Sequence, residues 1–178
     1  MKAANLNKQN IILIGFMGVG KGTIARELAK RTKLFAIDTD DLIESLEKRK
    51  IKEIFAQEGE EYFRTLEEKT AKWLQKSVQR TIISTGGGFF KVTNLHKIGT
   101  VVYLESSFEA ILARINSHPN AEQKRLKRPL LQDIEAAKQL HQTRSSQYAL
   151  KADITIDVAN KTPQQIVASI KKAIKKRS

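Results

Sequence analysis

Gly15-Phe16-Met17-Gly18-Val19-Gly20-Lys21-Gly22-Thr23 is the stretch from which the rest of this 178-residue chain can be read. It follows a short apolar run, Ile11 to Ile14, whose lack of alternation suits a buried parallel strand. From Lys21 onward the apolar positions Ile24, Ala25 and Leu28 recur at helical spacing as far as Thr32. A glycine-rich turn of the form G-x-x-x-x-G-K between a strand and a helix is the context of a phosphate-binding loop. The glycines let successive backbone N–H groups converge on phosphate oxygens, and the helix N-terminus adds positive potential. Lys21 then reaches the outer phosphates of a nucleotide. Gly18, Val19, Gly20, Lys21, Gly22 and Thr23 are therefore the candidate nucleotide contacts, with Lys21 also catalytic. One position departs from the general pattern. The residue after the lysine should be Ser or Thr to ligate Mg²⁺, and here it is Gly22, with the Thr23 hydroxyl one step later.

Working outward, Leu34 to Ile37 reads as a second strand ending at Asp38, which completes a strand, helix, strand unit. Leu42, Ile43 and Leu46 suggest a short helix, and Ile51, Ile54 and Phe55 another, closed by Gly59 in a left-handed C-terminal position. A longer helix is expected from about Glu60 to Ser77, with Phe63, Leu66, Thr70, Trp73 and Leu74 on its core face. Thr81 to Ser84 is a third strand, stopped by Gly86, Gly87 and Gly88; Thr100 to Leu104 is a fourth. Ser106 or Ser107 can cap a helix carrying Phe108, Ile111, Leu112 and Ile115. Residues 116 to 130 lose apolar periodicity, gain two prolines and several charges, and read as a lid. Beyond it a helix carries Ile134, Ala137, Leu140 and Tyr148, Ile154 to Val158 is a fifth strand, and Ile166, Val167, Ile170 and Ile174 mark a last helix. Strands alternating with helices imply an α/β fold with a parallel sheet covered on both faces and ligands at the carboxyl ends of the strands. The length suits one domain over 1–178.

Composition narrows the chemistry. Without cysteine there is no disulfide framework, thiolate metal site or cysteine nucleophile. His96, His118 and His141 lie far apart with no ligand spacing, and read as structural or solvated. The polar first ten residues and the short apolar run after them do not make a signal segment, so the expected location is the cytoplasm, with no membrane partner. The 32 Lys and Arg against 19 Asp and Glu give +13 and favour anionic partners. Aromatic residues are only 6%, where a nucleic-acid module more typically interleaves aromatic with basic residues; phosphorylated small molecules fit the charge equally well, and no nucleic-acid partner is expected. The basic run Lys171, Lys172, Lys175, Lys176 and Arg177 reads as the solvated end of the last helix.

The remaining candidates each have a plain structural alternative. Asp38 and Asp40, at i and i+2 after the second strand, can address one cavity beside the phosphates, one orienting an acceptor hydroxyl and taking its proton, the other organising a metal's water shell. Both could instead cap or charge a helix start. Arg64 could pair on a helix surface with Glu60 or Glu68 at i±4. Gly86 to Gly88 allow close backbone approach by a ligand or form a plain turn. Arg128, before Pro129, and Arg144, four residues before Tyr148, could be ligand contacts or solvated.

Taken together, GFMGVGKGT, DTDDLIE, EEYFR, STGGG, KRPLL and TRSSQYALKAD, in this order and over nearly the whole chain, resemble the shikimate kinases, a family of small P-loop kinases. The resemblance implies a P-loop kinase-like three-layer sandwich: a five-stranded parallel sheet with helices on both faces, a lid over about 116–130 and a substrate-binding helical segment over about 40–78. It implies transfer of the ATP γ-phosphate to the 3-hydroxyl of shikimate in aromatic amino acid biosynthesis, with Mg²⁺ accompanying ATP, in a monomer. Residue by residue, Asp40 would hold and activate the hydroxyl, Asp38 would serve Mg²⁺ through water, and Arg64 and Arg144 would clamp the carboxylate. Gly86, Gly87 and Gly88 would line the shikimate site, Arg128 would close on the transferring phosphate, and Arg114 would lie near the adenine. The departure is Gly22, where the family has Ser or Thr and where GKGT instead resembles the loop of adenylate kinases. That likeness keeps a nucleoside monophosphate or sugar-acid kinase as the alternative enzyme. A nucleic-acid-binding P-loop protein is the alternative that the charge suggests.

Overall fold

The computed structural model describes residues 9–117 and 131–177. Five strands, β1 (Asn10–Ile14), β2 (Phe35–Asp38), β3 (Thr81–Ser84), β4 (Gly99–Glu105) and β5 (Ile154–Asp157), form one parallel sheet in the order β2-β3-β1-β4-β5. The expected strands lie within one or two residues of these bounds. Among the described residues seven α-helices accompany them: α1 (Lys21–Thr32), α2 (Thr39–Glu47), α3 (Ile51–Ser77), α4 (Leu95–Ile98), α5 (Phe108–Asn116), α6 (Ile134–Lys151) and α7 (Pro163–Arg177).

The apolar runs explain the layering. Ile11 to Ile14 and Val101 to Leu104 are buried throughout, because β1 and β4 have neighbours on both edges and helices against the sheet. Ile24, Ala25 and Leu28 of α1 and Ile166, Val167, Ile170 and Ile174 of α7 supply buried faces at helical spacing, and these two helices pack on one another. A second, smaller cluster of Ile43, Ile54, Phe63 and Leu66 joins α2 to α3, so the segment after β2 has a core of its own. Far from the strands' carboxyl ends, buried Asn10 donates to Val78 O at 2.8 Å and Ile98 O at 2.9 Å and accepts from the Thr81 N–H at 3.0 Å. Its side chain thereby fixes where β3 and β4 begin.

Several expectations change. Trp73 is 47% exposed and is not on the core face of α3; Ala71 and Glu67 are buried there instead, because that face turns by about 100° per residue and passes Trp73 by. Gly59 has the positive φ foreseen (81°) but an extended ψ of −179°, and works as a kink inside α3 rather than as a left-handed cap. Ser107 caps α5, accepting from the Ala110 N–H at 3.2 Å, while Ser106 is buried. A 3-10 turn at Phe89–Lys91 and the four-residue α4 have too little periodicity to be foreseen. Of the lid, residues 118–130, with Arg128 and also His118, lie outside the described residues.

Candidate active site

β1, β2 and β3 end side by side, and each continues directly into a functional segment: the glycine-rich loop, the Asp38–Asp40 turn and the triple glycine. The phosphate loop runs from Gly15 to the start of α1, where Gly20 has a φ of 104° that an L side chain rarely adopts. Lys21 is buried, and its ammonium donates to Gly15 O at 2.7 Å and Phe16 O at 3.1 Å, which holds it inside the loop it serves. Arg114 of α5 donates to Val19 O and, at 3.3 Å, to Val158 O, so it supports the outer side of the same loop. Thr23 is exposed on α1. Position 23 is about 100° around the helix from position 22, so its hydroxyl does not take over the place that Gly22 leaves bare.

The two carboxylates have different surroundings. Asp38 is the N-cap of α2: its Oδ1 accepts from the Asp40 N–H at 2.9 Å, and its Oδ2 from the Ser84 hydroxyl at 2.6 Å. Capping thus engages one of its oxygens and the end of β3 the other. Asp40 caps nothing. Its Oδ1 is closed off from water and has no hydrogen-bond partner among the described residues, a costly arrangement for a carboxylate oxygen. Burial, then the charge of Asp38, pushes the Asp40 carboxyl from 3.8 up to about 7 against the opposing pull of Lys21.

The triple glycine packs against three of the expected side chains, one glycine to each. A Cβ on Gly86 would stand 2.5 Å from Asp40 Oδ1, one on Gly87 3.4 Å from Arg144 Nη1, and one on Gly88 would overlap the Arg64 guanidinium. Without side chains, this loop brings Asp40, Arg144 and Arg64 around a common space at the carboxyl ends of β2 and β3. Thr39 Oγ1 accepts from the Gly86 N–H at 3.1 Å, and Arg144 Nη1 donates to Gly87 O at 3.2 Å.

Arg64 also makes ion pairs, to exposed Glu60 at 2.7 Å as foreseen and to buried Glu67 at 2.5 Å in place of Glu68. Glu68 instead receives the Thr93 N–H at 2.9 Å. Glu67 and Tyr148 are the two residues that the sequence reading missed. Glu67 is buried, its Oε1 has no hydrogen-bond partner among the described residues, and burial pushes its carboxyl up although the Arg64 hydrogen bond draws it down. Its signal was the i+3 spacing from Arg64, overlooked in favour of i+4. Tyr148 donates to Gly87 O at 2.6 Å and stacks between Phe90 and Tyr103; burial lifts its hydroxyl to about 12, so it remains a donor. Its i+4 spacing from Arg144 was the legible hint.

The described residues contain no cluster of three His, Asp or Glu that could cage a metal. His141 is buried between Phe16 and Phe108 and bonds Ser106 O at 3.0 Å; His96 lies beside Asp153 on the surface. Asp38 fits a hydrated Mg²⁺ rather than a naked one, since each oxygen already accepts one protein hydrogen bond and keeps a lone pair for metal-bound water. No helix among the described residues is long and apolar enough to cross a membrane.

The family model for shikimate kinase matches residues 17–175. Among curated proteins, the shikimate kinase of Sulfurihydrogenibium sp. (strain YO3AOP1) is 41% identical over 174 residues, 95% of this chain and 99% of that protein. That of Helicobacter hepaticus (strain ATCC 51449 / 3B1) is 42% identical over 149 residues, covering 84% and 86%. Among solved structures, shikimate kinase from Acinetobacter baumannii in complex with shikimate has a TM-score of 0.83 at 30% identity, covering 96% of this chain and 94% of that one.

Proposed function

This chain belongs to the shikimate kinase family, an ATP-dependent phosphotransferase that phosphorylates shikimate, and from that premise we propose how its own residues do so. The observation that carries the reading is the triple glycine with Asp40, Arg144 and Arg64 each against one of its members. A cyclic hydroxy acid needs a base at its hydroxyl and cations at its carboxylate, and this loop lies against both. Asp40 accepts the proton of the 3-hydroxyl as that oxygen forms its bond to the γ-phosphorus and the bond from phosphorus to the ADP oxygen breaks. Its raised basicity suits the task near neutral pH. Arg64 and Arg144 bind the carboxylate, Arg64 held in aim by Glu60 and Glu67. Tyr148 and Arg144 together hold the Gly87 carbonyl.

Gly18 to Thr23 wrap the phosphates, and Lys21 trades its two loop carbonyls for phosphate oxygens as the nucleotide enters. Arg114 donates to Val19 O, and the family resemblance assigns it a place near the adenine. Mg²⁺, when bound with ATP, neutralises charge on the outer phosphates. Asp38 holds that ion through water. Arg128, outside the described residues, is assigned by the family resemblance alone to the transferring phosphate. Since all these groups come from one chain, we read the enzyme as working as a monomer, which size-exclusion chromatography checks.

The test is ADP release with Mg·ATP and shikimate, against AMP, gluconate or no acceptor, followed by product mass. Release with shikimate alone and a mass gain at one hydroxyl support the assignment. Release with AMP instead favours the nucleoside monophosphate kinase that GKGT leaves open. For Arg128, Arg128→Ala is expected to lower kcat about a hundredfold or more with little change in the shikimate KM, since a cation on the transferring group acts mainly in the transition state. Steady-state kinetics showing an unchanged kcat remove Arg128 from that role.

A further inference from the structure

The hydroxyl that Gly22 lacks has a neighbour able to take over part of its work. Asp38 and Ser84 are register partners at the ends of β2 and β3, so their side chains leave the sheet on the same face, and the buried Ser84 hydroxyl donates to Asp38 Oδ2 at 2.6 Å. A Cβ on Gly22 would stand 3.9 Å from Ser84 Oγ and 3.5 Å from Arg26 Nη1, both ordinary contacts. The place of the missing side chain is thus open, at the first turn of α1, and faces the Ser84–Asp38 pair. Having given its one proton to Asp38, the Ser84 oxygen keeps lone pairs that only a donor can satisfy. Phosphate oxygens are not donors; the waters around a divalent cation are.

We propose that Ser84 is the positioning residue that stands in for the hydroxyl absent at Gly22, orienting Asp38 and, with it, receiving the water shell of the nucleotide-bound cation. The inference rests on the Mg·ATP reading above and deepens it. With no side chain at position 22, no hydroxyl there would displace a water from the cation, and Mg²⁺ dehydrates reluctantly. Ser84 is to Asp38 what an outer partner is to a metal ligand, and loss of such partners typically costs 10- to 100-fold in metal affinity. A serine introduced at 22 would put a hydroxyl beside Ser84 and make it redundant.

That redundancy is the test, a double-mutant cycle of Ser84→Ala and Gly22→Ser. The readout is calorimetric affinity for the non-hydrolysable ATP analogue AMPPNP with MgCl₂ and with EDTA, the ratio of the two measuring the metal's contribution. Ser84→Ala is expected to lower this ratio about tenfold without changing the affinity in EDTA. Gly22→Ser should leave it equal or raise it, and the double variant should return to within roughly threefold of the parent. A double variant as impaired as Ser84→Ala alone, or a ratio untouched by Ser84→Ala, overturns the proposal, as does weaker Mg²⁺-dependent binding in a folded Gly22→Ser protein. Should Ser84→Ala fail to fold, Ser84→Cys, similar in size with a weak donor, is read the same way. Acceptor-dependent ADP release by the unaltered protein is scored separately, so failure of the shikimate reading is distinguishable from failure of this one.

Discussion

Asp40→Asn is expected to abolish most of the activity and to make the protein more stable. The amide cannot take the hydroxyl proton, which costs about 10²- to 10⁴-fold in kcat for a general base. The stability gain follows from the same burial. In the fold the Asp40 carboxyl is raised from 3.8 to about 7, so the native state holds the proton more tightly than the unfolded chain does. Below about pH 4 the group is neutral in both states and the substitution changes little. As pH rises toward 7 the unfolded chain ionises freely while the native state resists, and wild-type stability is lost. The preference amounts to about 4 kcal/mol, which solvent at this partly open side chain screens to roughly 2 to 4 kcal/mol. Melting curves should show Asp40→Asn gaining several degrees at pH 8, and a gain that shrinks steadily on acidification. A variant no more stable than wild type at pH 8 would mean that water reaches Oδ1 freely. Function here is stationed at a destabilising position, a common trade between activity and stability.

Gly88→Ala should cost the acceptor site without costing the fold. Gly88 has φ −104° and ψ −12°, a conformation open to alanine, and the three atoms nearest to the new methyl all belong to the Arg64 guanidinium. That group is the end of a long side chain and can swing aside, but only by leaving the glycine loop. The shikimate KM is expected to rise at least tenfold while affinity for the nucleotide and the melting temperature stay close to wild type. Arg64→Met should share the kinetic defect and differ in stability. It strands Glu67, 2% exposed, without its cation, and stranding a buried charge typically costs about 3 to 5 kcal/mol. Glu67 can escape part of this by taking up a proton, toward which its burial already pushes it. If both variants lost stability equally, the glycine would be holding the loop rather than clearing space for the arginine.

These contrasts mark what was legible in the sequence. The phosphate loop could be read because its chemistry lies in backbone spacing, and spacing is local. The strands could be read because a buried parallel strand is apolar at every position, as Ile11 to Ile14 are. Asp38 and Asp40 were both visible but not distinguishable: what separates them is Ser84, 46 residues from Asp38, and Gly86, 46 from Asp40. Trp73 was misplaced because its i+3 spacing from Thr70 suggested the core face, whereas that face runs through Thr70, Ala71 and Leu74 and leaves Trp73 47% exposed. Glu67 and Tyr148 were passed over since a glutamate among glutamates, or a tyrosine on a helix, becomes informative only once an arginine or a carbonyl is set against it. Long-range partners are supplied by topology, which a pattern in sequence implies but does not show.

The sheet order has a last implication, for motion. β1, which launches the phosphate loop, is central and paired along both edges, whereas β2, which launches Asp38 and Asp40, is a four-residue edge strand bonded only to β3 and topped by an 84% exposed Phe35. Amide hydrogens should therefore exchange slowest in β1 and fastest in β2, in a gradient that runs across the active site itself. On the proposed assignment the phosphate loop springs from the strand expected to open last, while Asp40, facing the acceptor, and Asp38, facing the nucleotide's cation, spring together from the strand expected to open first.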